Sequence, residues 1–262
     1  MKAKKHLGQH FLIDNQVVTN IIEAIKEHCP TSEALLEIGP GPGVLTEQLA
    51  ADYDRFHAVE FDRDMIKVLL QKLDKKYLIN EDFLALDLST VHQDGAFNLV
   101  GNFPYNISSQ IVFKMLDHKE KIPCMVGMFQ KEVAHRICAK PGTKANGIIT
   151  LLTQAYYDAE VLFDVGPDAF DPPPKVQSSV ILLKRKAEFT LPCDAKLYKS
   201  IIKLSFQQRR KKLRNTLKVY FQDREVDPEL EAGLLQQRPE HLGVEDFVEL
   251  TKVIAAGRDE KH

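Results

Sequence analysis

Short apolar runs alternate with apolar stripes at helical spacing through most of the chain, and beyond Pro192 only the helical spacing continues. Val17, Val18, Ile21, Ile22 and Ile25 fall on one face and predict a helix over 15–28, with Asp14 as its N-cap. Apolar runs at 34–38, 56–59, 77–80, 97–100, 123–129, 159–165 and 176–183 predict strands. Helical stretches at 44–51, 64–75, from about 107, at 132–139 and at 148–156 separate most of them. Strand followed by helix, repeated, predicts an α/β fold: a seven-stranded, mostly parallel sheet covered on both faces. The expected division is a sheet domain over 1–186 with a basic N-terminal arm, then a small C-terminal helical domain over 187–262.

The ends of the predicted strands carry the chemistry. Strand 34–38 runs into Gly39-Pro40-Gly41-Pro42-Gly43 and then a helix. Glycines let the backbone turn sharply and approach a ligand, so the turn is either a cofactor loop or a plain connection. Strand 56–59 ends in Glu60, where a dinucleotide-type fold places the carboxylate that accepts from ribose hydroxyls. The pattern is GxGxG rather than GxGxxG, which suits a cofactor without a pyrophosphate, such as S-adenosylmethionine. Asp82-Phe83 follows the third strand, and a carboxylate beside an aromatic can serve an adenine amine and the base face. Read alone, Asp82 is a solvated turn acid.

The fourth strand ends in Asn102-Phe103-Pro104-Tyr105. An amide carbonyl, a backbone carbonyl on a stiff chain and a flat ring together suit gripping an amino group on an aromatic ring. The alternative is a strand-to-helix turn in which Asn and Pro are punctuation. Phe170 sits in Asp168-Ala169-Phe170-Asp171-Pro172-Pro173-Pro174, either presented for stacking or folded back on the core. The loop 140–147 is polar and glycine-containing, a mobile lid or an ordinary surface loop.

A length of 262 residues gives one or two domains with a full core. The net charge of -2 hides local clusters. Lys4 and Lys5 stand in a basic N-terminal arm, and Arg209, Arg210, Lys211, Lys212 and Arg214 form a run without acids, read as a helix face for nucleic-acid phosphates. The four cysteines lack metal-like spacing, so the expectation is reduced thiols, no metal and a cytoplasmic protein. No signal-peptide core and no apolar stretch of membrane-spanning length is found.

Taken together, KKHLGQHFLID, EIGPGPGVLT, VEFD, DFL, GNFPYNISS, FDPPPKVQSSV and SFQQRRKKLRNTL, in that order, resemble the ribosomal RNA adenine dimethyltransferase family, most closely its bacterial small-subunit branch. The resemblance covers nearly the whole chain. It implies a Rossmann-like class I methyltransferase fold and S-adenosylmethionine contacts at His10, Leu12, Gly39, Glu60, Asp82 and Asn102, with Phe83 beside the adenine and Gly41 and Gly43 in the turn. It also implies N6,N6-dimethylation of two adjacent adenosines in a 3′-terminal hairpin of 16S ribosomal RNA, within the small ribosomal subunit or its precursor, by a monomer. Asn102, Pro104, Tyr105 and Phe170 would handle the target base. The family usually has asparagine where His10 stands and leucine where Phe103 stands. A 23S ribosomal RNA adenine methyltransferase of the resistance kind, a DNA adenine methyltransferase and a mainly non-catalytic ribosome-assembly factor are the alternatives.

Overall fold

The computed structural model describes residues 4, 7–92, 95–222 and 226–259. Phe11–Leu12 forms a short strand, β1, and Asp14 then starts α1, Asn15–His28, by accepting from the amides of Gln16 and Val17 at 2.8 and 3.1 Å. The alternation continues as β2 (Ala34–Ile38), α2 (Thr46–Asp52), β3 (Phe56–Val59), α3 (Arg63–Leu69), β4 (Leu78–Ile79), β5 (Phe97–Asn102), α4 (Ser108–Asp117) and β6 (Cys124–Gln130). Then come α5 (Lys131–Ile137), α6 (Ile148–Gln154), β7 (Tyr157–Val165), β8 (Phe170–Asp171) and β9 (Ser178–Arg185), followed by α7 (Ala195–Gln207), α8 (Leu213–Thr216), α9 (Pro228–Ala232) and α10 (Val244–Asp259).

Seven strands make one sheet in the order β4-β3-β2-β5-β6-β9-β7. β2, β3, β4, β5 and β6 pair in parallel, and β9 runs antiparallel to β6. Every residue of β2 is buried, as a strand covered on both faces requires, and α1 packs on β6 while α2 packs on β3. From β2 the chain builds outward to β3 and β4, then returns to build β5 and β6 on the other side. That reversal opens a crevice beyond the carboxyl ends of β2 and β5. The helix expected over 64–75 ends at Leu69, because Leu70 is already exposed and Asp74 caps a separate 3-10 turn, Lys75–Tyr77.

The N-terminal segment is docked. β1 pairs antiparallel with β8, Phe11 opposite Asp171 and Leu12 opposite Phe170.

The chain divides into two compact units, Met1–Ala134 with Asp158–Arg185, and His135–Tyr157 with Lys186–His262. Residues 135–157 therefore group with the C-terminal helices. The Asn146 side chain is buried and donates to the carbonyls of Glu240 and Leu242, each at 2.9 Å, and the Tyr198 hydroxyl donates to the Leu151 carbonyl at 3.2 Å. The 140–147 segment is thus a tether inside the second unit rather than a lid. Among the described residues, no helix is long and apolar enough to cross a membrane.

Candidate active site

An open cleft of about 1020 Å³, counting its solvent-facing mouth, lies where the topology reverses. Its floor is the glycine turn after β2. Gly39 and Gly41 have φ of +65° and +54°, a conformation that a side chain disfavours, so the turn needs these glycines to bring bare backbone to the cleft. Glu60 stands opposite, accepting from the amides of Gly41 at 3.1 Å and Asp62 at 2.7 Å. Burial raises the Glu60 carboxyl above the ordinary range, and these amides oppose the shift. Asp82 forms a further wall; its Oδ1 accepts from the Leu84 amide at 2.9 Å.

The end of β5 delivers the acceptor corner. Asn102 Nδ2 donates to the His10 carbonyl at 3.1 Å, which fixes the amide and turns Oδ1 away from that contact as an acceptor. The Pro104 carbonyl accepts from the Ile107 amide at 3.2 Å, which leaves one lone pair. The Tyr105 hydroxyl lies 2.5 Å from Ser178 Oγ, anchoring the ring from β9. His10 stacks on Tyr105 with centroids 5.2 Å apart, and its Nδ1 donates to the Pro172 carbonyl at 2.8 Å. That bond fixes the tautomer, so Nε2 is left as the acceptor of the neutral ring.

The profile of the family described as Ribosomal RNA adenine dimethylase matches residues 1–255. The chain belongs to this family. It is 45% identical over 259 residues to Ribosomal RNA small subunit methyltransferase A of Flavobacterium johnsoniae, covering 98% of this chain and 97% of that protein. It is 47% identical over 255 residues to the protein of the same name from Parabacteroides distasonis, covering 97% and 94%. Its fold matches a dimethyladenosine transferase from Plasmodium falciparum with a TM-score of 0.78 at 23% identity, covering 94% and 98%. It matches the 23S rRNA methyltransferase ErmE with 0.70 at 27%, covering 92% and 99%.

A ribosomal RNA adenine dimethyltransferase takes its methyl group from S-adenosylmethionine, and the cleft suits that compound. Three acidic side chains, of Glu37, Glu60 and Asp82, line it, of which the buried Glu37 keeps its proton, and among the described residues it has no Lys or Arg. Such walls repel phosphates and attract the sulfonium and ammonium of this donor. His10, Leu12, Gly39, Gly41, Glu60, Asp82 and Asn102 all line this cleft, with Pro104 and Tyr105 beside them.

Other expected residues stand elsewhere. Gly43, with φ of +89°, donates to the Pro40 carbonyl and leaves room for Leu69, so it shapes the turn without lining the cleft. Phe83 is 3% exposed and lies under Lys114, whose ammonium is 5.1 Å from the ring centroid. Phe170 is 2% exposed and belongs to the core cluster that includes Leu12, Val100 and Val126. Its ring is therefore core rather than a surface offered to a base, because pairing with Leu12 turns β8 inward.

The cations also divide. Lys4 is not an open phosphate contact: its ammonium is 2.6 Å from Asp62 and 2.8 Å from Asp64, and Gln9 donates to Asp62 at 2.9 Å. Lys5 lies outside the described residues. The basic run is not a continuous helix, since α7 ends at Gln207 and α8 begins at Leu213. Arg209 reaches the Lys144 carbonyl and sits 3.8 Å from Glu240, Arg214 pairs with Glu231, and Lys212 donates to Gln236 at 3.0 Å. Arg210 and Lys211 lie in the turn between the helices, and both are exposed.

Two cleft residues lie within the quoted stretches VEFD and EIGPGPGVLT but have no role assigned from the sequence. Phe61 directly follows Glu60 and is 60% exposed at the rim, a position that an aromatic side chain holds against the hydrophobic effect. Glu37 is 1% exposed, and its Oε2 has no hydrogen-bond partner among the described residues. Its one signal is an acid inside an otherwise apolar strand. Burial pushes its carboxyl up to about 8, the Glu60 charge adds to the shift, and Thr46 opposes it. Between the ordinary carboxyl range and about 8, the unfolded chain has lost a proton that the folded chain keeps, so stability falls as pH rises through this window. Glu37→Gln removes that slope. It should match the wild type near pH 5 and exceed it by on the order of 3 kcal/mol near pH 8 in urea denaturation of the ligand-free protein. A difference that does not change with pH would rule out a buried, protonated Glu37.

Proposed function

We propose that this chain methylates N6 of two adjacent adenosines near the 3′ end of 16S ribosomal RNA, twice on each base, acting in the cytoplasm as a monomer on the small subunit or its precursor. The observation that carries the reading is the pinned Asn102 amide facing a cleft walled by acceptors. The full-length likeness to relatives named for the small subunit favours 16S RNA as the target. The likeness to a 23S rRNA methyltransferase favours a second reading, with the large-subunit RNA as substrate, at lower identity.

Bound S-adenosylmethionine supplies a methyl group on a sulfonium, an excellent leaving group. The adenine amine is a poor nucleophile because its lone pair is delocalised into the ring. In the first transfer Asn102 Oδ1 and the remaining lone pair of the Pro104 carbonyl accept the two amine hydrogens and localise that lone pair. In the second, the methylated amine has one hydrogen left for one of these acceptors, and each transfer ends with loss of one amine proton to solvent. Both groups act as acceptors rather than bases, so placement supplies much of the acceleration. Tyr105, held by Ser178, takes the base face, worth about 1 to 3 kcal/mol per stacked base in comparable sites. A target adenine within folded RNA is first splayed out of its stack.

Labelled S-adenosylmethionine incubated with unmodified small subunits, large subunits and DNA tests the reading by mapping the labelled base. Label in the 3′ region of 16S RNA is expected, and label confined to large-subunit RNA would select the second reading. Replacing Arg210 and Lys211 together with alanine should flatten the salt dependence of RNA binding by roughly 0.7 to 0.9 log units for each phosphate no longer neutralised. An unchanged slope would remove that turn from the RNA face.

A further inference from the structure

Lys114 lies in the last turn of α4, and its ammonium donates to three backbone carbonyls, of Phe83 at 2.6 Å, Leu84 at 3.0 Å and Leu86 at 2.5 Å. An ammonium has three protons, and all three are used. The carbonyls belong to one tight turn that begins at Asp82. The Asp82 carbonyl accepts from the amides of Ala85 and Leu86, both at 2.9 Å, while its Oδ1 accepts from the Leu84 amide. The turn is thus closed at its start by Asp82 and at its end by Lys114. A cation against the carbonyl end of such a turn is electrostatically favoured. Lys114 is partly buried, and this lowers its affinity for a proton, while Asp82, Glu81 and Asp87 raise it again. With its protons committed to the turn, this lysine is not an open cation for RNA.

We infer that Lys114 is a positioning residue that holds the Asp82 turn in the shape that receives the 6-amino group of the cofactor's adenine. The inference rests on the reading of Asp82 as the adenine contact. Without Lys114, three carbonyls lose their donor, and the turn can relax and carry the Asp82 carboxylate away from the base. The donor's sulfonium stands at the far side of its ribose from the adenine amine, so the loss should show as discrimination between purine rings. It should not show as a uniform loss of binding.

The test uses S-adenosylhomocysteine and its 6-oxo analogue S-inosylhomocysteine, which differ at position 6 and in the proton that the 6-oxo ring carries on the adjacent N1, with binding measured by calorimetry on the full chain. Lys114→Met should reduce the preference for the 6-amino compound by about tenfold, the size expected for one hydrogen bond to a charged group. Because it is a ratio, the preference does not depend on how much of the variant is folded. Lys114→Arg, which restores cationic donors, should recover part of it. Asp82→Asn should also reduce the preference, and the double variant should lose little more than the worse single one. A wild-type preference in Lys114→Met, or additive losses in the double variant, overturns the inference while the role of Asp82 stands. A wild-type preference in Asp82→Asn overturns the reading of Asp82 itself, and the inference with it.

Discussion

Asn102→Ala should lower turnover by a factor on the order of 100 to 1,000, by analogy with losing one positioned polar group at a reacting centre. The amide does two jobs. Nδ2 holds the His10 carbonyl at 3.1 Å, and Oδ1 is thereby presented as an acceptor. Alanine removes both, so a second variant separates them. Asn102→Asp keeps an acceptor but sets a carboxylate oxygen against the His10 carbonyl, an acceptor facing an acceptor. Its turnover should fall less than that of the alanine variant, while S-adenosylhomocysteine binding weakens because the His10 segment lines the same cleft. Single-turnover methylation of small subunits at saturating donor measures the chemical step. Near-normal rates in Asn102→Ala would remove the amide from the mechanism.

The sheet was legible because its signals are local and repeated. A buried parallel strand is apolar throughout, and α1 has both its stripe and its cap within 14–28. The floor of the cleft was legible for the same reason, since glycines and an acid at strand ends need no distant partner to be recognised. Residues whose role depends on what packs against them were harder to read. The prolines around Phe170 left stacking and core packing equally open, and pairing with Leu12, far away in sequence, turns it into the core. Lys4 and Arg209 read as free cations, but Asp62, Asp64 and Glu240 are distant in sequence and take up their charge. Arg209, Arg210, Lys211 and Lys212 all lie between α7 and α8, but Arg209 and Lys212 reach side-chain or carbonyl partners while Arg210 and Lys211 are exposed, which no composition reveals.

The departure at Phe103 has a physical account in two strands. Gly101 of β5 lies directly opposite Gly127 of β6, and the Phe103 ring occupies the space both glycines leave. A Cβ on Gly127 would run into the Phe103 ring, and one on Gly101 would stand 2.6 Å from the Ile38 carbonyl oxygen. Glycine within a strand marks such close approach. The ring cannot slide aside cheaply, since it is 1% exposed and meets Phe129 edge-on with centroids 5.0 Å apart. Gly127→Ala should therefore destabilise by about 1 to 3 kcal/mol through overpacking. It should also cut turnover strongly, because Phe103 is joined on either side to Asn102 and Pro104. Phe103→Leu alone should cost about 1 kcal/mol or more through the space it empties. The two together should cost less than their sum, because the smaller side chain gives the new methyl group its room, with a coupling of about 0.5 to 3 kcal/mol. Urea denaturation of the four proteins measures the stability cycle, and methylation assays show whether the double variant regains turnover relative to Gly127→Ala. Additive losses would mean that the glycine and the ring are not matched, and that the bulk at 103 is accommodated elsewhere.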